Sequence, residues 1–324
     1  VRIVVTGGAG FIGSHFVLGL LGGEYPGLPA TEVIVLDKVT YAGDPRVLEE
    51  AADPRVSLVR TDICDRSAVL RLMEGADVVV HFAAETHVDR SISGPGEFVR
   101  TNVAGTQNLL HCALQVGVGR FVHVSTDEVY GSIDRGSWNE DSALEPNSPY
   151  SASKAASDLM VRSYHRTYGL DACITRCSNN YGPRQFPEKL IPRFVTTLLE
   201  GGRVPLYGDG SNVREWLHVS DHCRGVALVA ARGRAGETYN IGGGTELTNR
   251  ELTERILSIM GVDWGSVQQV ADRKGHDQRY SVDHQKISDE LGYEPRTSLA
   301  DGLKEVVQWY TENREWWKPI QAPA

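Results

Sequence analysis

Two acids stand side by side at Asp127 and Glu128, within Ser125-Thr126-Asp127-Glu128-Val129-Tyr130-Gly131; a tyrosine and a lysine follow at Tyr150 and Lys154. Residues i and i+4 share one helix face, so the Lys154 ammonium is placed to lower the pKa of the Tyr150 phenol electrostatically. Tyr150 then becomes a base for a hydroxyl group. Oxidation of an alcohol needs no second acid/base pair, so Asp127 and Glu128 add a further proton-transfer function. Both sets in one site imply oxidation coupled to elimination. The bland alternative for the adjacent acids is a solvated loop.

These groups need a rigid frame. An apolar run from Arg120 to Val124 leads into the acids, and similar runs read as strands at 2–6, 32–36, 56–60, 77–82, 121–125 and 172–176. Helix-compatible periodicity lies between them at 12–21, 68–73, 103–115 and 151–168. Continuous β-branched runs such as Val78-Val79-Val80 suit strands buried on both faces. The alternation predicts an α/β fold, a Rossmann-type doubly wound parallel sheet. After Asn179 the elements shorten and turns multiply, which predicts a smaller mixed α/β C-terminal substrate domain. The expected division is 1–178 for cofactor binding, with part of 213–240 returning to it, and a discontinuous 179–324 for substrate.

Between the first strand and first helix, Gly7, Gly10 and Gly13 form G-x-x-G-x-x-G. Such a turn lets backbone N–H groups approach a pyrophosphate at a helix N-terminus. Asp37 ends the second strand, where its carboxylate can accept from both hydroxyls of an adenosine ribose and repel a 2′-phosphate, so NAD is expected over NADP. Asp62 and Ile63 follow the third strand, where an adenine edge would lie; a plain helix cap is the alternative for Asp62.

The chain has 324 residues, 41% hydrophobic and 23% charged, which fits a globular protein with a sizeable core. No run of about 18 apolar residues predicts a membrane span, and no basic, apolar leader precedes the first strand, so a cytoplasmic protein is expected. Five cysteines without C-x-x-C spacing read as reduced core thiols, with no metal site. The net charge of −9 argues against a nucleic-acid surface.

With G-x-x-G-x-x-G, S-T-D-E-V-Y-G and Y-x-x-x-K in this order, the chain resembles the extended short-chain dehydrogenase/reductases. More narrowly, it is similar to the dTDP-glucose 4,6-dehydratases, from the first strand to about Trp309. The likeness includes residues 83–91, 178–183, 186–192, 214–219 and 272–277. Asp127 carries the specificity, because related epimerases and decarboxylases generally have a small or hydroxyl residue there. Thr86 and Lys274 depart from the Ser and Pro common in the family.

The resemblance implies NAD-dependent dehydration of dTDP-glucose to the 4-keto-6-deoxy sugar: oxidation at C4, loss of water across C5 and C6, and hydride return to C6. Tyr150 and Lys154 would serve the oxidation with Thr126 on O4, while Glu128 takes the C5 proton and Asp127 protonates the leaving hydroxyl. By the same likeness Phe11, Ile12, Asp37, Lys38, Val39, Thr40, Asp62, Ile63, Phe82, Ala83, Ala84, Glu85, Thr86, Thr101, Tyr150, Lys154 and Asn180 would line the NAD site. Thr86, Thr126, Asn179, Lys189, Leu190, Pro205, Leu206, Tyr207, Arg214, Asn249, Asp272, Arg273, Lys274, Gly275 and His276 would line the nucleotide-sugar site. Alternatives stand beside these roles: a surface ion pair for Arg214, ordinary packing for Tyr207, a turn for His276, and structural duty for His87 and Asp89. Two family helices pair with their symmetry mates, so a homodimer is expected, with Val103, Leu109, Leu110, Ala113 and Leu114 on one face and Ala156, Leu159, Met160 and Tyr164 on the other; packing of each face on the sheet alone is the alternative. The rival activities are a nucleotide-sugar 4-epimerase or decarboxylase, which would use the same tyrosine, and a non-catalytic NAD sensor, which would need none of the acids.

Overall fold

In a computed structural model of the protein, residues 1–272 and 276–320 are described. Seven parallel strands form the main sheet: β1 (Arg2–Thr6), β2 (Glu32–Asp37), β3 (Val56–Arg60), β4 (Val78–His81), β5 (Arg120–Thr126), β6 (Ala172–Cys177) and a later strand, Thr238–Ile241. Their spatial order is β3-β2-β1-β4-β5-β6 followed by Thr238–Ile241. Successive side chains on a strand point to opposite faces. Ile3 and Val5 therefore enter one apolar core with Val33, Val35, Val78 and Val80, while Val4 enters another with Ile34, Leu36 and Val79. Burial on both faces is why these strands read as continuous apolar runs. The chain reverses its direction of winding between β1 and β4, and the crevice at such a switch point is where ligands bind in open α/β sheets.

The helix carrying Tyr150 and Lys154 spans Pro149–Tyr168. It starts at a Ser148–Ser151 capping box with Pro149 in its first turn, and ends at Gly169 in the left-handed conformation (φ 73°). The sequence periodicity from 103 begins later than the helical backbone does. A π-helical stretch, Val99–Gly105, precedes the α-helix Thr106–Val116. Its widened turn lets Asn102 tie Glu85, through both main-chain groups, to the Ser153 hydroxyl 2.8 Å away on the helix Pro149–Tyr168.

The C-terminal region holds a three-stranded sheet of Asn179–Tyr181, Val213–His218 and Glu246–Thr248, and a parallel pair, Val204–Tyr207 with Val267–Val270. Its own core includes Tyr181, Phe194, Leu206, Leu252, Leu303 and Trp317. The strand Val213–His218 stays in this small sheet, whereas the helix after it, Val219–Arg232, packs its apolar side into a core of the main sheet. Among the described residues no helix is long and apolar enough to cross a membrane.

Candidate active site

One groove of about 320 Å3 runs from the glycine turn to the two acids. At its first end Gly7 has φ 71°, and an added Cβ there would come within 2.5 Å of the Ala83 nitrogen. A Cβ on Gly13 would come within 2.2 Å of the Gly7 carbonyl oxygen. Only glycine permits this closeness of turn, strand and helix. The helix Phe11–Leu21 that follows has no side-chain cap and no acid in its first turn, so its leading N–H groups remain available to an anion.

Asp37 is largely buried, and its two oxygens accept from Val39 N at 2.7 Å and Ala9 N at 2.9 Å. Burial raises its carboxyl above the usual range, and the two hydrogen bonds oppose that rise. Each oxygen keeps a further lone pair, which suits a ribose diol. Asp62 is not the helix cap; that role falls to Asp65, which accepts from Ala68 N. Asp62 instead bonds Cys64 N and pairs with Lys38 at 3.0 Å and Arg100 at 3.1 Å. The backbone cradle, the uncapped helix start and the acid beyond β2 together fit a dinucleotide.

At the other end, β5 finishes at Thr126, whose hydroxyl caps a 3-10 turn, Asp127–Tyr130, by accepting from Glu128 N at 3.3 Å. The same hydroxyl donates to Asp127 Oδ1 at 3.2 Å. The second oxygen of Asp127 is buried and has no hydrogen-bond partner among the described residues. Burial raises the Asp127 carboxyl well above the ordinary carboxylate range, reinforced by Glu128 and Glu215 and opposed by Thr126 and Arg214. The shift favours the neutral form of Asp127, while the half-buried Glu128 beside it also lines the groove. The adjacent acids are not a solvated loop.

Tyr150 is 7% exposed, with the Phe98 ring edge-on at 6.3 Å. Its phenol is raised well above the usual value, first by burial and then by Glu128, with Thr126 opposing. Lys154 is fully buried and donates to the Val124 carbonyl at 2.9 Å. Burial lowers its ammonium to about 8, against the support of Asp158 and Cys177. Desolvation thus moves the Tyr150 phenol in the direction opposite to the lowering expected from Lys154.

Of the expected site residues, the groove collects Gly7, Gly10, Phe11, Ile12, Gly13, Asp37, Lys38, Thr40, Asp62, Ile63, Phe82 to Thr86, Thr101, Thr126 to Glu128, Tyr150, Lys154, Asn179, Asn180 and Lys189. Val39 contributes its N–H to Asp37 without lining the groove, and its φ of 53° bends the loop there. Lys189 reaches the Thr86 carbonyl at 3.1 Å. Leu190, Pro205, Leu206, Tyr207, Arg214, Asn249, Asp272 and His276 lie outside the lining. Leu206 is a correction: along Val204–Tyr207 alternate residues face opposite ways, and Leu206, 4% exposed, belongs to the small-sheet core. Arg214 is no surface ion pair; it is buried, donates to the Val213 and Asp277 carbonyls and lies over the Tyr280 ring at 4.4 Å. His276 bonds Asp272 at 2.7 Å and meets Tyr207 edge-on. Asn249 is buried with its side-chain oxygen lacking a partner among the described residues. His87 caps the helix Val88–Ser93. Arg273, Lys274 and Gly275 lie outside the described residues.

Ser125, Cys177, Ser178, Gln185, Phe186 and Glu188 also line the groove, and sequence assigned none of them a site role. Cys177 ends β6 and Ser178 follows it, beside the acids at the end of β5, which is the available signal. Gln185 bonds the Asn180 carbonyl across a loop whose fold sequence does not announce.

Residues 4–306 match the family described as GDP-mannose 4,6 dehydratase. The chain is 63% identical over 322 residues to a dTDP-glucose 4,6-dehydratase of Streptomyces antibioticus, covering 99% of this chain and 95% of that one. It superposes with a TM-score of 0.98 on a crystal structure of a dTDP-glucose 4,6-dehydratase from Streptomyces venezuelae with NAD and TYD bound, at 66% identity over 99% of this chain and 100% of that one. A UDP-glucose 4-epimerase of Thermotoga maritima, solved with UDP-glucose, superposes with a TM-score of 0.89 at 31% identity, over 97% of this chain and 100% of that one.

Proposed function

The chain belongs to the dTDP-glucose 4,6-dehydratase family, and from that membership we infer that it is an NAD-dependent hydro-lyase converting dTDP-glucose to dTDP-4-keto-6-deoxyglucose for deoxysugar biosynthesis. The observation that carries the reading is Asp127, a buried acid with one oxygen lacking a partner among the described residues, beside a second acid and lining the same groove as Tyr150. Gly7, Gly10 and Gly13 would hold the pyrophosphate of NAD and Asp37 its adenosine ribose, with Tyr150 and Lys154 at the opposite end. NAD, when bound, supplies a two-electron acceptor that is restored within each turnover, together with a positive ring that opposes the burial of the Tyr150 phenolate. Tyr150 takes the proton from the sugar O4, and Lys154 carries the charge that favours this. Thr126 orients O4 by its hydroxyl. The resulting 4-ketone acidifies C5–H, and Glu128 removes that proton. Asp127 gives its proton to the C6 hydroxyl as it leaves; a carboxyl whose neutral form is favoured by burial and by neighbouring acids suits this role. Arg214, Tyr207, Asn249 and His276 are proposed to meet the nucleotide once it bridges the groove and the small sheets.

The 4-epimerase reading shares the fold and the tyrosine but has no use for a buried acid at Asp127. Incubation with dTDP-, UDP-, GDP- and CDP-glucose decides between them. A 4-keto-6-deoxy product from the dTDP sugar is expected; dTDP-galactose would sink the dehydratase reading.

The proposed assembly is a homodimer in the cytoplasm. The five free thiols suit a reducing compartment. Leu109, Leu110 and Ala113 are fully buried against the sheet and Tyr164 is 6% exposed, so these residues cannot form a free interface. Ile92, Val99, Leu159 and Tyr168 are 49%, 57%, 54% and 58% exposed on adjoining helices and support pairing there. Light scattering at micromolar concentration should give twice the chain mass, and a monomer would remove the dimer.

A further inference from the structure

Tyr150 and Lys154 do not end the row on their helix. Asp158 stands one more turn along the same face, and it is wholly buried. Its Oδ2 accepts from Arg176 Nε at 2.8 Å, and its Oδ1 lies 3.4 Å from His123 Nε2. Arg176 is itself 1% exposed; it donates through NH1 to the Tyr130 hydroxyl at 2.8 Å, which in turn donates to Asn240 at 2.8 Å. Three elements thus converge behind the groove: β5 with His123 and Ser125, β6 with Arg176 and Cys177, and the catalytic helix.

A buried cluster of this kind has a definite charge count. His123 is held down to about 4 by burial, with Lys154 also opposing its protonation, so it is neutral near pH 7. Asp158 is lowered to about 2, the Arg176 guanidinium being the largest of the influences that overcome its burial. The charges are therefore one carboxylate and two cations, Arg176 and Lys154. Among the groups packed around them, His81 is neutral and Cys177 and Tyr130 remain protonated. The only hydrogen bond of Lys154 among the described residues goes to an uncharged carbonyl. A lysine this deeply buried loses its proton easily unless a carboxylate is near.

We propose that Asp158 is a positioning residue of the dehydratase: anchored by Arg176 and one buried helical turn from Lys154, it keeps that ammonium charged behind Tyr150. This rests on the roles assigned above to Tyr150 and Lys154. A purely structural ion pair between Asp158 and Arg176 would leave the titration of Lys154 alone, which separates the two ideas.

The test uses the full-length enzyme with NAD and dTDP-glucose. In Asp158→Asn, the alkaline limb of the kcat/KM profile should move to lower pH by roughly one to three units, the span a lost neighbouring charge produces. Because this variant strands the Arg176 charge, Asp158→Asn with Arg176→Gln serves as the second variant: it should recover stability yet keep the shifted limb. A limb that returns to its wild-type position in the double variant would overturn the proposal, as would loss of the folded state in both variants. A wild-type 13C-lysine titration should show one lysine titrating near 8, and its absence would also overturn it. Tyr150→Phe distinguishes the underlying reading: if that variant retains activity, the assigned base fails, whereas an inactive Tyr150→Phe with an unmoved Asp158→Asn limb fails Asp158 alone.

Discussion

At the scale of single residues, the proposed division of labour between the two acids rests on their different surroundings. Asp127 is buried with one oxygen lacking a partner among the described residues, and Glu128, one residue on, is half-buried at the groove. This difference in burial supports the proposed roles, acid at Asp127 and base at Glu128. Their effects should separate. Asp127→Asn should lower dehydration roughly 10^2- to 10^4-fold, the worth of a positioned proton donor, while recovered dTDP-glucose still takes up solvent deuterium at C5. Glu128→Gln should lose that exchange. Deuterium at C5 in both variants, or in neither, read by proton NMR of the recovered sugar, would contradict the assignment.

At the scale of elements, much of the frame was legible. Apolar alternation and glycine spacing located the six strands from β1 to β6 and the helix start after the glycine turn, since a strand buried on both faces leaves few other readings. The acids and the Tyr150–Lys154 pair needed no tertiary knowledge, being local to one strand end and one helix turn. The nucleotide-binding residues were less legible. Leu206 is the case in point: a four-residue strand fixes which side chain faces the core only through its pairing with Val267–Val270, which lies far along the chain. The π-helical turn at Asn102 was equally hidden, because its sequence is compatible with an ordinary helix. The glycine turn permits a direct check. Gly13→Ala places a methyl 2.2 Å from the Gly7 carbonyl oxygen, so the turn must open. We expect a stability loss of about 1–3 kcal/mol by chemical denaturation and weaker NAD binding by calorimetry. An unchanged affinity would remove the pyrophosphate role of that turn.

At the scale of the whole molecule, folding is coupled to pH through buried histidines. His123 and His222 are 0% exposed, and burial lowers them to about 4 and about 3. Because their folded pKa values lie below the unfolded value near 6.5, the stability they contribute is complete above pH 6.5 and is lost as the pH falls through the folded values. Each contributes a slope of up to roughly 1.4 kcal/mol per pH unit within that window. Thermal unfolding should therefore soften steadily from pH 6.5 to 4, and His222→Leu should flatten part of the slope. A Tm unaffected by pH across that interval would contradict this account.

The central claim is that one site carries oxidation and elimination to a single product, with the electrons returned to the molecule that gave them. Turnover of dTDP-glucose deuterated at C4, followed by NMR and mass spectrometry of the product, tests it directly. The account predicts deuterium on the C6 methyl of the same molecule, and in a parallel reaction in deuterated water a solvent deuteron at C5. Label washed out to solvent, or retained at C4, would contradict it.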